Sequence, residues 1–338
     1  MANYILKRLF YMALVLIVLS FVIFAVYNML PTDKAADMAM QEIAANKHLI
    51  YAERYLYWQR RLGLDGNIFT RYLRWLGVAP FYDGSFQGLL QGNLGTSVVY
   101  GKSVAAVLKE PLLNTLLLNV LATALSLGIT IPLGIFCARK KGSKRDTAVQ
   151  VGTIIGYGMP VFITAILFIW LFAVKLNIFP VSGMSSVGKD YTGFRAFLDK
   201  LYHFALPLLV MTFCSLGGMT RYVRASMLDA LKLDCIRTAR AKGLKESVVV
   251  KSHAWRNALI PVLSLVIAWV MGVFSGSIMI ENVFGINGVG KAYFDALTAN
   301  DNEVVLALQI FYVFLALLGN LLADLSYGLA DPRIRVEK

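Results

Sequence analysis

Residues Arg237–Pro261 read RTARAKGLKESVVVKSHAWRNALIP, a stretch with six basic residues. It lies between Phe204–Thr220 and Ala258–Ile280, two runs with no Asp, Glu, Lys or Arg. A soluble domain rarely sets a cationic segment between two runs of that kind. About 20 apolar residues carry a helix across a hydrocarbon core of about 30 Å, where no backbone polar group can go unpaired.

Working outward, four more charge-free runs appear: Leu9–Leu30, Leu112–Phe136, Thr147–Val174 and Val304–Ala323. Phe204–Thr220 is the shortest and runs straight into Arg221 and Arg224. The chain is 58% hydrophobic and only 16% charged, against about 25% charged in soluble domains. The expected class is an all-α polytopic membrane protein with six transmembrane helices. Its parts are a terminus and first helix over 1–30, a sizeable segment over 31–111, a five-helix core over 112–328 that contains the loop 221–257, and a terminus over 329–338.

With six spans both termini share a side. That side holds 19 of the 33 Lys and Arg, nine of them in 221–257, and all of the formal charge of +13 falls on it. Basic residues mark the cytoplasmic face, so both termini are expected there, and the charge reports topology and anionic lipid rather than nucleic acid. The first run is too long for a signal-peptide core and lacks a small-x-small cleavage site, which favours an uncleaved anchor.

Segment 31–111 is too long to lack structure of its own. Lys34–Leu64 reads as helix, with Tyr51 and Tyr55 on one stripe and Arg54 four residues before Trp58. Packing on the membrane surface and contact with an external partner both fit that stripe. The remainder carries turn signals at Asp65-Gly66-Asn67, Ala79-Pro80, Asp83-Gly84 and Gly92-Asn93-Leu94-Gly95. Pro160 falls inside the third run, so that span is expected to kink or break near Gly156. Gly156, Tyr157, Gly158 and Pro160 are therefore candidates for the translocation path, with simple packing as the alternative.

Several chemistries lack their residues. His48, His203 and His253 are dispersed, as are Cys137, Cys214 and Cys235, so neither a metal site nor a disulfide framework is implied. Gly285-Ile-Asn-Gly-Val-Gly-Lys291-Ala292 nearly matches a phosphate-binding loop, but Ala292 replaces the hydroxyl that would hold Mg²⁺. It reads as a glycine-rich turn. Glu281 and Asp324 sit at span ends, where a cap or interhelix hydrogen bond explains them better than an ion relay. Asp324 follows Asn320 by four residues, on the same helical face. No catalytic constellation shares a compartment.

Asp234–Gly243 is compatible with a short helix ended by Gly243, and Glu246–Asn257 with a second helix before Pro261 starts the fifth span. Such a cationic helix suits either anionic lipid or a partner groove. The choice comes from a resemblance. R-T-A-R-A-K-G-L followed by H-A-W-R-N-A-L-I-P is similar to the coupling loop of ATP-binding-cassette importer permeases, and more narrowly of the first permease of the oligopeptide/dipeptide/nickel family. Against the general motif E-A-A-x3-G, Arg237-Thr238-Ala239 stands for E-A-A and Gly243 for the glycine. The motif's downstream I-x-L-P falls on His253-Ala254-Trp255-Arg256 and is not matched. Arg61–Asp65 with Arg71–Trp75, Gly92–Ser97, Phe179–Gly183, Glu281–Phe284 and Asp331–Arg333 extend the resemblance along nearly the whole chain.

The resemblance implies a type I importer permease fold and a non-catalytic permease subunit working by alternating access in a prokaryotic cell membrane. It implies a second homologous permease, two cytoplasmic ATPases that bind ATP-Mg, and an external solute-binding protein. Peptide is the expected cargo. Asp234, Arg237, Thr238, Ala239, Arg240, Ala241, Lys242 and Gly243 would couple to the ATPase, Ala239 and Gly243 by close fit and the arginines by polar contacts. The alternative is a nucleotide-independent secondary transporter or channel.

Overall fold

The computed structural model describes residues 2–31 and 33–330, with side chains over 6–31 and 33–322. The Asp331–Arg333 motif and the Asp324 side chain lie outside the described residues. Among these residues there is no β-strand, only one antiparallel bridge from Thr96 to Ser103. In chain order the helices are α1 Ala2–Asn28, α2 Lys34–Ala45, α3 Tyr51–Arg61, α4 Ile68–Leu76, α5 Val104–Arg139 and α6 Lys144–Gly158. There follow α7 Val161–Lys175, α8 Gly193–Ala230, α9 Asp234–Ala241, α10 Glu246–Gly272, α11 Ile278–Val283, α12 Val289–Thr298 and α13 Asn302–Ala330. Five of them are long and apolar enough to cross a membrane, and α6 with α7 makes a sixth candidate bent by 105°. Five of the six expected spans are thus present, and the bent pair stands where the third was expected.

The chain forms two compact units, one of residues 2–109 with 293–317 and one of 110–292 with 318–330. In the first unit, Asp33 caps α2 by accepting from the Ala35 and Ala36 amides. Lys34–Leu64 is not one helix. The Asn46 side chain accepts from the His48 amide at 3.2 Å, and this local bond competes with helix and turns the chain between α2 and α3. Arg54 then bridges back to Glu42 at 2.8 Å, holding that carboxyl below its usual range. Tyr51 and Tyr55 stack at 5.9 Å, as their spacing predicts. The turn-rich stretch also contains a helix the pattern did not single out. In α4, Asn67 caps the Thr70 amide at 2.9 Å and Gly77 ends the helix in the left-handed region.

In the second unit, α8 runs for 38 residues, about 57 Å at 1.5 Å per residue, nearly twice a hydrocarbon core. The break in the third span falls at Met159, whose extended backbone (ψ 134°) is what a residue before proline adopts. The Pro160 carbonyl then accepts from the Ile163 and Thr164 amides and starts α7. Two other expectations need correction. Pro261 does not start the fifth span; it sits inside α10, which begins at Glu246 and widens by i→i+5 bonding over Val249–Ala254. That helix also stops at Gly272, before the expected end at Ile280, and a new one begins after Ser277 caps the Ile280 amide.

This second break has a carboxylate at its centre. Glu281 is buried and accepts from Thr115 Oγ1 at 2.9 Å, the Lys291 amide at 2.8 Å and the Ser277 amide at 3.2 Å. The glycine-rich stretch is the expected turn only as far as Gly288, since α12 opens at Val289, and it wraps a carboxyl group, the chain's own. A Cβ on Gly288 would stand 2.4 Å from Glu281 Cδ. Glu281 therefore makes the interhelix bond that its span-end position suggested, tying α11 to α5. Gly288→Ala should lower stability by about 1–3 kcal/mol through overpacking, read as a lower thermal midpoint in detergent. Combined with Glu281→Ala, which removes the obstruction, its cost should be less than additive.

Candidate coupling site

Helix α9 is short, and its end is built by backbone alone. Gly243 takes φ +75°, a conformation open to glycine at little cost. This lets the Gly243 amide reach the Arg240 carbonyl at 2.9 Å and the Leu244 amide reach Ala239 at 3.4 Å, a Schellman-type finish. Gly243 ends the helix where the sequence placed the stop.

The two faces of α9 differ in kind. Ile236 is fully buried and Ala239 is 5% exposed, three residues apart and so on one side. They enter a single core with Met219, Val223, Met227 and Ala230 of α8 and Val249, Val250, Ala254, Ala258 and Val262 of α10. Burying one Ile is worth about 1.5–3 kcal/mol, which sets the scale for what holds this helix to the two long ones. The other face, with Asp234, Arg237, Thr238, Arg240, Ala241, Lys242 and Gly243, is exposed. Ala239 thus turns inward, away from any partner groove, because its methyl completes the core.

The arginines have partners within the chain. Arg237 Nη1 lies 3.3 Å from Asp234 Oδ1, both side chains being at least three-quarters exposed. Arg240 donates to Glu246 at 3.1 and 2.7 Å, and this carboxylate holds the guanidinium above its usual range. Exposed pairs contribute about 0–1 kcal/mol, so an incoming acidic or carbonyl group can exchange for them at little cost.

One contact of the site was not singled out from sequence. Asp146, in the first turn of α6, is buried and accepts from Arg224 of α8 at 2.9 and 2.7 Å, and from the Gly142 amide at 3.0 Å. The available signal was Ser143-x-x-Asp146, a capping pattern in which Ser143 accepts from the Asp146 amide at 3.2 Å. Higher up, Gly156 of α6 is buried, and a Cβ there would stand 2.8 Å from the Phe213 carbonyl of α8. Gly156 is therefore a packing residue. Tyr157, Gly158 and Pro160 are exposed at the break, and Arg221 stands over the Tyr157 ring at 5.4 Å.

The arrangement makes α8, α9 and the base of α10 one packed body, with α6 clamped to it by an ion pair. Removing one partner of such a pair leaves a charge with little water. Arg224→Ala should cost about 3 kcal/mol in thermal unfolding of the detergent-solubilised protein, and Asp146→Ala/Arg224→Ala together less than the sum of the two.

Comparison with known proteins fits this geometry. Residues 130–336 match the family described as binding-protein-dependent transport system inner membrane component, and residues 1–122 match the N-terminal region of such membrane components. The chain is 33% identical to the oligopeptide transport system permease protein AppB of Bacillus subtilis over 99% of both chains. It is 33% identical to the di/tripeptide transport system permease protein DppB of Pseudomonas aeruginosa over 93% of both. With the dipeptide transport system permease protein DppB of Escherichia coli K12 the identity is 32% over the full length of both. A multi-pass, all-helical chain matched from end to end in this way belongs to the binding-protein-dependent inner membrane components, the non-catalytic permease subunits of ATP-binding-cassette importers.

Proposed function

We propose that this permease carries peptides, oligopeptides or dipeptides, into a prokaryotic cell as one of two different permeases in the complex. The names of the relatives support the cargo. Two ATPases bind ATP-Mg on the cytoplasmic side, where both termini and the loop 221–257 lie, and a solute-binding protein delivers cargo from outside. The lysine and arginine asymmetry supports this orientation.

The observation that carries the mechanism is the burial of Ile236 and Ala239 in the core of α8 and α10. The exposed face of α9, Asp234, Arg237, Thr238, Arg240, Ala241, Lys242 and Gly243, docks on one ATPase. Ala239 acts from behind, fixing the helix to the spans. When ATP draws the ATPases together, α9 moves with α8, and α6 follows through Asp146–Arg224. Tyr157, Gly158 and Pro160 at the α6–α7 break are the candidates to line the path, and the break absorbs the displacement. Alternating access follows as a switch between two packed states rather than as bending of the helices.

Gly243→Asp places a side chain in the left-handed region and a charge on the docking face. In proteoliposomes of the full complex, peptide uptake should fall at least about tenfold, a loss of roughly 1.4 kcal/mol of coupling, while insertion and basal ATP hydrolysis persist. Normal uptake by this variant would overturn the assignment of α9. Uptake by the chain alone, driven by an ion gradient without nucleotide, would favour the secondary-transporter alternative.

A further inference from the structure

Helix α4 is nine residues long and cleanly divided. At 100° per residue, Trp75, Ile68, Tyr72, Leu76, Phe69 and Leu73 fill one arc of about 160°, while Arg71, Arg74 and Thr70 share the rest. Helix α1 covers only part of that arc. Tyr72 is buried between Phe21 and Phe24, with ring centroids at 5.2 and 5.6 Å, and its hydroxyl shares hydrogen bonds with Ser20 and the Ile17 carbonyl. Trp75 lies 5.5 Å from Phe24. Phe69 stacks on Phe21 at 5.0 Å yet remains 62% exposed, and Leu73 is 41% exposed.

The level of this contact along α1 is informative. Phe24 and Phe21 stand four and seven residues before Asn28, the last residue of α1. That places α4 about 6–10 Å inside the end of a spanning helix. Its polar side points back toward that end. Arg71 donates to the Asn28 side chain, and Arg74 binds Asp65 Oδ1 at 2.7 Å and the Asp65 carbonyl at 2.8 Å.

We propose that α4 is an interfacial helix, lying in the membrane at the C-terminal end of α1 with Phe69 and Leu73 in contact with lipid acyl chains. Amphipathic helices that lie in a membrane plane sink their apolar face roughly 5–10 Å into the headgroup/acyl boundary, a depth comparable to the distance of the α4 contact from the end of α1. Lipid is favoured over a protein partner on two grounds. The helix that α4 packs against also presents accessible apolar side chains along its apolar run, where Ile17, Val18 and Val22 are about half exposed. Two side chains also offer far less than the roughly 800 Å² that each partner gives to a specific protein interface. The segment after the first span is then partly a membrane element, which anchors α1 against rotation in the bilayer. In the orientation proposed above, the leaflet is the outer one.

The test is spin-label accessibility in the assembled importer, in phosphatidylethanolamine–phosphatidylglycerol vesicles. Labels go on Phe69→Cys, Leu73→Cys and, as a polar-face control, Thr70→Cys, with Cys137, Cys214 and Cys235 replaced by Ala. Labels at 69 and 73 should collide with oxygen several-fold more than with a water-soluble nickel chelate, and the ratio should fall at 70. Nickel access at 69 and 73 would overturn the proposal in favour of a solvent-exposed face. Shielding from both reagents would overturn it in favour of a protein partner. If the cysteine variants do not assemble, Trp75 serves as the probe, with Trp58, Trp170, Trp255 and Trp269 changed to Phe. Acyl-brominated lipid should then quench most of its fluorescence, and an absence of quenching would refute lipid contact.

Discussion

The contact on which the working part of this protein depends is the insertion of Ile236 and Ala239 between α8 and α10. A docking helix on a flexible loop would dissipate movement into loop entropy. Here two inward side chains make the short helix an extension of two long ones. Close-packed interiors are bistable rather than continuously deformable, so in the coupling role proposed for α9 a displacement there would pass on as a shift of the whole packed body. The excess length of α8 belongs to the same packed body. Its last turns stand beyond what a bilayer needs, and there they meet α9, α10 and, through Arg224, α6.

The rest of the second unit is governed by the cost of burying charge. The two deeply buried acids among its described side chains sit at helix N-termini and are well supplied with donors. Asp146 has the Arg224 guanidinium and the Gly142 amide. Glu281 has the Thr115 hydroxyl, the Ser277 amide at the cap of its own helix and the Lys291 amide of the glycine-rich stretch. The first solution fixes one helix to another by an ion pair. The second closes a broken span with neutral donors, which is why that loop carries glycines at positions where a side chain would displace the carboxylate.

Much of this is legible in the sequence, and the limits have physical causes. The apolar runs identify six spans, since lipid leaves the backbone no alternative to helix. Pro160 announces its break, and Gly243 its helix end. The second break, after Gly272, carries only the weaker mark of Ser275-Gly276-Ser277, and distant side chains make it favourable: Asn119 donates to the Val273 and Ser275 carbonyls at 2.8 Å, beside the Glu281 cradle. The turn at Asn46 is hidden in a strongly helical composition, since one Asx bond decides it. The Asp146–Arg224 pair joins residues 78 apart, a partnership that no local pattern encodes. Gly156 looks like a pathway residue beside Pro160 and is instead a point of close helix contact, a distinction only the neighbouring α8 can make.

The same geometry explains how the chain departs from the general E-A-A-x3-G pattern without losing the element. The two positions it keeps, Ala239 and Gly243, are those that the chain's own fold constrains. Ala239 is buried in the core that holds α9 to the long helices, and Gly243 occupies backbone space that disfavours a Cβ. The two positions it replaces, Arg237 and Thr238, are exposed, and each makes a local bond to Asp234, Thr238 by donating to its carbonyl at 3.0 Å. Arg237 is balanced by Asp234 one turn earlier, so a Glu-to-Arg reversal does not strand a charge. The motif thus separates into an architectural half, fixed by packing and backbone conformation, and a surface half whose chemistry is left to whatever meets that face.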